Sequence, residues 1–319
     1  MSELTRSREI NPVSVSSAGG SSSALRDLLT RARDLCDSTH ESLKHSAKRI
    51  NELELRLADE RFHFAVLGQF KRGKSTLLNA LLGEPLLPTA IVPLTSIPTF
   101  LRAGNTRTVH VYFHDGGRKV FSNLTLKEAN EILSRYVAET QNPGNRLGVE
   151  RVEVEQPSAL LSTGVVMIDT PGIGSTLRHN TEVTLGLLPQ CDAALCVVSA
   201  DPSITEVEKQ FLQAVQGKVA KLCFVMNKVD HLTQHELAEA SAFFRKVLSE
   251  VGYAKDAIIF YVSAKQGLEA RMNKDLPAWR ESGFEQLQDF LLDFLSREKT
   301  RTLHIAIAEK AADVVAEAA

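Results

Sequence analysis

The stretch FAVLGQFKRGKSTLLNALLG, residues 64–83, decides the fold, because an apolar strand pattern passes into a helical pattern across one glycine-rich turn. That turn, residues 68–75, fits the pattern G-x-x-x-x-G-K-[ST] of a phosphate-binding loop. Glycine lets the backbone wrap so that successive N–H groups point at one anion, and the start of the following helix adds further donors. The stretch therefore predicts a strand, a phosphate site and a helix in that order.

Each residue of this loop has an expected role. The backbone of Gly68, Gln69, Phe70, Lys71, Arg72 and Gly73 would cradle the phosphates, with Lys74, Ser75 and Thr76 at the start of the helix. The Lys74 ammonium would reach the β- and γ-phosphates, and the Ser75 hydroxyl would be a ligand of Mg²⁺. An ordinary loop with accidental spacing is the alternative, but the strand before it and the helix after it argue against that.

Three later loops also follow apolar runs. Asp169 to Gly172 could hold Mg²⁺ through the carboxylate and meet a γ-phosphate through the glycine N–H. In the segment Asn227-Lys228-Val229-Asp230, the Asp230 carboxylate could accept two N–H bonds from a guanine edge. In the triplet Ser263-Ala264-Lys265, a backbone N–H could meet the guanine oxygen. Taken singly, these segments could equally be a Pro-Gly turn, a helix-capping loop or a chance triplet.

The order of the four loops favours one interpretation. Short apolar runs at 62–67, 165–168, 193–198, 221–226 and 257–262 alternate with helical patterns at 74–82, 180–188, 205–216, 234–250 and 284–295. Such alternation predicts an α/β fold with a mostly parallel sheet, in which ligands bind at the carboxyl ends of the strands. We expect a guanine-nucleotide-binding P-loop domain over residues 61–295, with residues 97–163 as an antiparallel extension at one edge.

The flanking segments have different patterns. Residues 1–23 are rich in Ser and Gly and are expected to be disordered. Residues 24–60 contain neither Pro nor Gly, and Leu29, Cys36, Leu43, Ile50 and Leu57 recur every seven residues, which predicts one long stalk helix. Residues 296–319 are again helical in pattern and are expected to begin a C-terminal bundle helix beside it. The abrupt end suggests a fragment of a longer protein or an engineered minimal version.

The composition and the apolar runs limit the partners and the cellular location that we expect. The 319 residues carry a formal charge of −2, which gives no general attraction to nucleic acid. The four cysteines lack metal-ligand spacing, and neither a signal peptide nor a run long and apolar enough for a membrane span is apparent, so a cytoplasmic location is expected. His110 and His114 lie on one strand pattern without a third ligand, and we expect both at the surface.

The phosphate loop, the segment LLPTAIVPLTSIPTF, the segment DTPGIGS with LPQCDAALCVVSAD, and NKVD together resemble the dynamin superfamily of large GTPases, particularly its bacterial dynamin-like members. The resemblance implies that Thr95 is the switch residue that ligates Mg²⁺ and positions the attacking water. Residue 173 is Ile, where small GTPases use Gln to orient that water. The guanylate-binding branch places an arginine finger at the position of Lys71, so Lys71, or else Arg72, is the candidate catalytic cation.

The resemblance further implies a Mg²⁺-dependent mechanochemical GTPase that hydrolyses GTP to GDP and phosphate. Dimerisation through the GTPase domains would stimulate hydrolysis, and the protein would remodel membranes from a peripheral position. Lipid contacts would come through parts absent from this chain. A ribosome-assembly or signalling switch and a GTP-binding scaffold are the alternatives, and turnover measured against protein concentration discriminates among them.

Overall fold

Nine strands form one mixed sheet in the part of the chain that the computed structural model describes, namely residues 18–39, 43–58, 60–89, 97–174, 178–200, 204–253 and 257–318. The strands are β1 (Phe62–Leu67), β2 (Thr99–Ala103), β3 (Thr108–Phe113), β4 (Arg118–Phe121), β5 (Val149–Gln156), β6 (Val165–Asp169), β7 (Ala193–Ser199), β8 (Lys221–Asn227) and β9 (Ile259–Val262). The order across the sheet is β4-β3-β5-β2-β6-β1-β7-β8-β9.

The strands β6, β1, β7, β8 and β9 are parallel to one another, as the sequence predicts. Their side chains are largely buried, because helices cover both faces of a parallel sheet. All five strands point their carboxyl ends to the same edge. The four loops at residues 68–75, 169–172, 227–230 and 263–265 each follow one of these strands.

The other four strands extend the sheet beyond β6. Strand β2 runs antiparallel to β6, and β3 runs antiparallel to both β4 and β5, as predicted. The pairing of β2 with β5 is parallel, however, which corrects the expectation of a wholly antiparallel extension. Strands β3 and β4 and a helix lie between β2 and β5 in the chain, so the connection is a crossover and not a hairpin. His110 on β3 is also buried, between Arg118 and Glu155, and not at the surface.

The helices of this unit are α3 (Lys74–Leu82), α4 (Leu126–Val137), α5 (Arg178–Leu187), α6 (Glu206–Val215), α7 (Gln234–Glu250), α8 (Ala264–Asn273), α9 (Leu276–Glu281), α10 (Phe284–Arg297) and the start of α11 (Lys299–Ala318). Helices α4, α6 and α7 each begin with a Thr-x-x-Glu capping box, in which the two side chains bond each other's backbone N–H. Helices α8 and α9 are not among the sequence-predicted helices.

The described residues fall into two compact units, one within residues 59–307 and one that comprises the described parts of residues 1–58 and 308–319 and is helical. In the helical unit the single helix expected over 24–60 is wrong, because α1 (Ala18–Thr39) and α2 (Lys44–Ala58) are separate helices. Thr30 Oγ1 donates to Glu54 Oε1 at 2.6 Å, so the two helices pack side by side. The expected disorder over 1–23 is also wrong for residues 18–23, which are helical.

The seven-residue spacing nevertheless identifies the packed positions, since Leu29, Ile50 and Leu57 are buried. Ser and Thr at residues 38, 39 and 42 have low helix propensity. Folding into two helices also lets one apolar row bury against the other, which a single extended helix cannot do without a partner.

Within the described residues, no helix combines the length and the apolar character that crossing a bilayer requires.

Candidate nucleotide-binding site

The phosphate loop connects the end of β1 to the start of α3. Lys74 is buried there, and its Nζ donates to the carbonyl oxygens of Gly68 at 3.1 Å and of Gln69 at 3.3 Å. Burial lowers the pKa of Lys74 to about 8, and the nearby Asp169 carboxylate offsets part of that shift. Gly73 has a φ of +88°, and a Cβ there would lie 2.4 Å from Asn227 Nδ2, so only glycine fits.

Two oxygen donors meet beside this loop. Asp169 ends β6, next to β1, and its Oδ2 accepts a 2.7 Å hydrogen bond from Ser75 Oγ. The neighbouring Thr170 donates through Oγ1 to Val66 O at 2.7 Å, which ties this loop to the end of β1. A serine hydroxyl and a carboxylate are hard oxygen ligands, so the pair fits Mg²⁺ bound together with a phosphate. Thr95, the third expected ligand, lies outside the described residues.

The segment after Asp169 runs along the phosphate loop. Phe70 N donates to Ile173 O at 3.1 Å, and Ile173 N donates to Gly68 O at 3.3 Å. Gly172 passes so close that a Cβ would lie 2.8 Å from Phe70 Cα. The glycine expected to serve the γ-phosphate therefore packs directly on the backbone expected to cradle it.

Asn227 joins the phosphate loop to the loops expected to bind the base. It is buried at the end of β8, where its Nδ2 donates to Arg72 O at 2.8 Å. Its Oδ1 accepts from Ala264 N at 2.9 Å, at the start of α8. Lys228, next in the chain, has a left-handed φ of +65°. One amide side chain thus holds three of the four predicted loops together.

The remaining base-side residues lie on the same two loops. Asp230 is in a short 3₁₀ turn after β8, with Oδ2 3.6 Å from His231 Nε2. Ser263 caps α8, its Oγ accepting from Gln266 N at 3.2 Å, and Lys265 is exposed. Thr76 is half-buried in the first turn of α3.

The two candidate cations have different surroundings. Lys71 is exposed, in a left-handed conformation with φ +67°, and its Nζ lies 5.2 Å from the centre of the Phe70 ring. Arg72 is buried, and its Nε and Nη2 donate to the two carboxylate oxygens of Glu208 at 2.8 and 2.7 Å. The structure therefore commits the Arg72 guanidinium to a protein carboxylate and leaves the Lys71 ammonium exposed.

Sequence reasoning did not identify Glu208 as part of the site. The available signal was the pair Thr205 and Glu208, whose spacing matches a capping box, placed directly before the apolar pattern of α6. Gln69 belongs to the same cluster, because its Oε1 accepts from Arg72 Nη2 at 3.2 Å and lies 3.4 Å from Thr205 Oγ1. In the described ranges, no group of three His, Cys, Asp or Glu side chains is placed to hold a metal ion by itself.

This chain is similar to known proteins in both sequence and fold. The family model described as "Dynamin family" matches residues 64–229. An uncharacterized protein from the xynA 3' region of Caldicellulosiruptor sp. (strain Rt8B.4) is 39% identical over 259 residues, covering 81% of this chain and 62% of that protein. The bacterial dynamin-like protein of Nostoc punctiforme is 30% identical over 259 residues, covering 75% of this chain and 37% of that protein.

A solved chain from an oligomerised bacterial dynamin pair aligns over 96% of this chain and 48% of its own length, with a TM-score of 0.60 and 17% identity, which supports the fold. This chain thus spans less than two thirds of the length of these relatives. Because the family match covers the phosphate loop, the Asp169 loop and the Asn227 loop over more than half of the chain, the chain belongs to the dynamin family.

Proposed function

We propose that this chain binds GTP with Mg²⁺ and hydrolyses it to GDP and phosphate. The observation that carries the proposal is the convergence of four predicted loops at one sheet edge, with Asn227 bonded to both the phosphate loop and the start of α8. In an open α/β sheet this edge is where ligands bind. Preorganised N–H groups and a buried lysine at one end, and a carboxylate at the other, suit a molecule that has phosphates and a purine.

Asp230 is proposed to select guanine. A carboxylate accepts two N–H bonds from the guanine edge, and adenine would leave it unpaired, a mismatch that can cost about 10⁴ in discrimination. The test is to compare the affinities of the purified chain for GTP, ATP and xanthosine triphosphate. Asp230→Asn should lose preference for guanine and gain preference for xanthine. Asp289→Asn, a change at an exposed carboxylate on α10, is the control and should change none of the three affinities. Equal binding of GTP and ATP by the unchanged chain would refute the proposal.

Ser75 and Asp169 are proposed to hold Mg²⁺, together with Thr95. When bound, the ion would neutralise charge on the phosphate oxygens. The chain's own part is to keep the Ser75 hydroxyl and the Asp169 carboxylate side by side at 2.7 Å. The Lys74 ammonium would neutralise negative charge on the β- and γ-phosphate oxygens. Its two hydrogen bonds to loop carbonyls keep Nζ inside the phosphate loop.

Lys71 is proposed to supply the catalytic positive charge. Its exposed ammonium is available to a developing negative charge, whereas the guanidinium of Arg72 is held by Glu208. A cation of this kind is worth about 10³–10⁵ in rate. We expect Lys71→Ala to lower kcat with little change in the Kd for GDP. Lys127→Ala is the control, because its side chain is 87% exposed on α4. An unchanged kcat in Lys71→Ala would remove this role.

Dimerisation through the GTPase domains is proposed to stimulate hydrolysis, on the basis of the family alone. Specific activity measured over a wide range of protein concentration tests it. A steep rise would support a stimulating dimer. A constant rate would contradict dimer stimulation, and a rate near zero at every concentration would favour a GTP-binding scaffold over an enzyme.

Action at membranes is proposed from the relatives, since the solved bacterial dynamin pair is described as sensing and tethering membranes. We propose that the whole protein remodels membranes from a peripheral position, with its lipid contacts outside this chain. The test is GTP turnover and cosedimentation of the full-length protein with vesicles of neutral and of anionic lipid. Stimulation by RNA instead of vesicles would favour an assembly or signalling switch and would contradict membrane action.

A further inference from the structure

An ion pair that lies beneath the phosphate loop has no part in the chemistry proposed above. The side chains of Arg72 and Glu208 are only 4% and 3% exposed, and both guanidinium-to-carboxylate distances are below 3 Å, at 2.8 and 2.7 Å. Arg72 is a phosphate-loop residue, and Glu208 lies in the first turn of α6. The pair therefore fastens the phosphate loop to a helix on another part of the sheet.

The Glu208 carboxylate has a second task at the same place. Its Oε2 also accepts from the backbone N of Thr205 at 2.9 Å and from Thr205 Oγ1 at 3.0 Å, which completes the capping box of α6. Gln69 adds a further link, since its Oε1 accepts from Arg72 and lies 3.4 Å from Thr205 Oγ1. Two phosphate-loop side chains are thus tied to the start of one helix.

The loop that follows Asp169 packs against this cluster. Gly174 has a φ of +62°, and a Cβ there would lie 2.8 Å from Val207 Cγ1 and 3.1 Å from Gln69 Nε2. A shift of α6 would therefore disturb the phosphate loop through Arg72 and Gln69. It would also disturb the loop that follows Asp169, through Val207. The backbone of Arg72 is also where Asn227 bonds, so the base loops depend on the same residue.

We propose that Glu208 is a positioning residue for nucleotide binding and hydrolysis. Its carboxylate holds the Arg72 guanidinium, keeps the backbone from Gln69 to Gly73 in its anion-binding shape, and keeps the Arg72 charge away from the bound phosphates. This inference rests on the proposed GTP site. It differs from a catalytic role for Arg72, because it predicts that Arg72 and Glu208 act as one unit.

A double-mutant cycle tests the proposal, with Arg72→Met, Glu208→Gln and the double variant. The measured quantities are the Kd for GDP, determined without turnover, and kcat for GTP. We expect each single variant to weaken GDP binding about tenfold, within the range of coupling found for neighbouring residues. The Kd of the double variant for GDP should be no higher than that of the single variant that binds GDP more weakly. Independent effects that simply multiply would overturn the proposal, and so would a loss of kcat in Arg72→Met with GDP affinity unchanged in both single variants.

Glu54→Gln is a matched control in the helical unit. Glu54 is 11% exposed and accepts from Thr30 and Arg33, much as Glu208 accepts from Thr205 and Arg72. It should lower stability while leaving GDP affinity unchanged. If it weakens GDP binding as much as Glu208→Gln does, general destabilisation explains the result and the proposal is overturned.

Two further measurements keep the outcome interpretable. Arg72→Lys retains the charge but cannot bond both carboxylate oxygens, so it should fold and show an intermediate GDP affinity. Hydrogen exchange in the nucleotide-free protein should become faster over residues 69–73 in Arg72→Lys, and unchanged exchange there would overturn the proposal. If the unchanged chain binds no guanine nucleotide, the proposed function fails. If it binds GDP and Glu208→Gln binds equally well, only this inference fails.

Discussion

Asn227→Ala should lower both the stability of the protein and its affinity for GDP. Asn227 is 2% exposed, and truncation would remove the partner of two buried backbone groups, Arg72 O and Ala264 N. Each unsatisfied buried group costs about 1–3 kcal/mol, so the sum is about 2–6 kcal/mol. Water entering the space would recover part of this, and we expect about 2–4 kcal/mol.

Asn79 provides a matched comparison. It is 0% exposed, and it also bonds two backbone groups, donating to Leu87 O at 2.9 Å and accepting from Leu87 N at 2.8 Å. Asn79→Ala should therefore lower the free energy of unfolding by a similar amount. The difference is that Asn79 bonds to the segment after α3, whereas Asn227 bonds the phosphate loop to the start of α8, where the base is expected to bind.

The assay is urea unfolding of the nucleotide-free protein, paired with calorimetric binding of GDP. Asn227→Ala should weaken GDP binding about 30-fold or more, because a loss of about 2 kcal/mol in preorganisation appears directly in the affinity. Asn79→Ala should stay within about threefold of the unchanged chain. If both variants lose stability equally and bind GDP equally well, Asn227 does not organise the site and this reasoning is refuted.

Two other predictions follow from the same site. Gly172→Ala should greatly weaken GDP binding, because the added Cβ would lie 2.8 Å from the Phe70 backbone. Gly186→Ala on α5 is the control, because a Cβ there meets nothing within 4 Å. It should stabilise the protein by about 0.5–1 kcal/mol in thermal unfolding. Burial lowers the pKa of Lys74 from 10.5 to about 8 in the folded, nucleotide-free protein. Between pH 8 and pH 10.5 the folded state therefore binds fewer protons than the unfolded state. The free energy of unfolding should rise with pH across that interval, by up to about 3 kcal/mol. Lys74→Met should lack that rise in urea unfolding measured from pH 8 to 10.5, and an equal rise in both proteins would contradict it.

The parallel core of the sheet and the edge at which the four loops meet could be predicted from the sequence, because their signals are local. A strand followed by glycine and a helix start is encoded in contiguous residues, as in residues 64–83, and the alternation of such strands with helices predicts a parallel sheet. The capping boxes of α4, α6 and α7 are likewise readable, since both members lie on one helical turn.

The sequence alone predicted which residues would carry phosphate and guanine chemistry, and it identified the family. Only the tertiary structure decided which groups are committed to protein partners: Arg72 and Glu208 are 136 positions apart, and no local pattern joins them. The same holds for the parallel pairing of β2 with β5 and for the division of the predicted long helix into α1 and α2. In each case the outcome depends on the burial of apolar or charged groups against distant parts of the chain. Such burial is a property of the packed molecule, whereas a turn or a cap is a property of a few neighbouring residues.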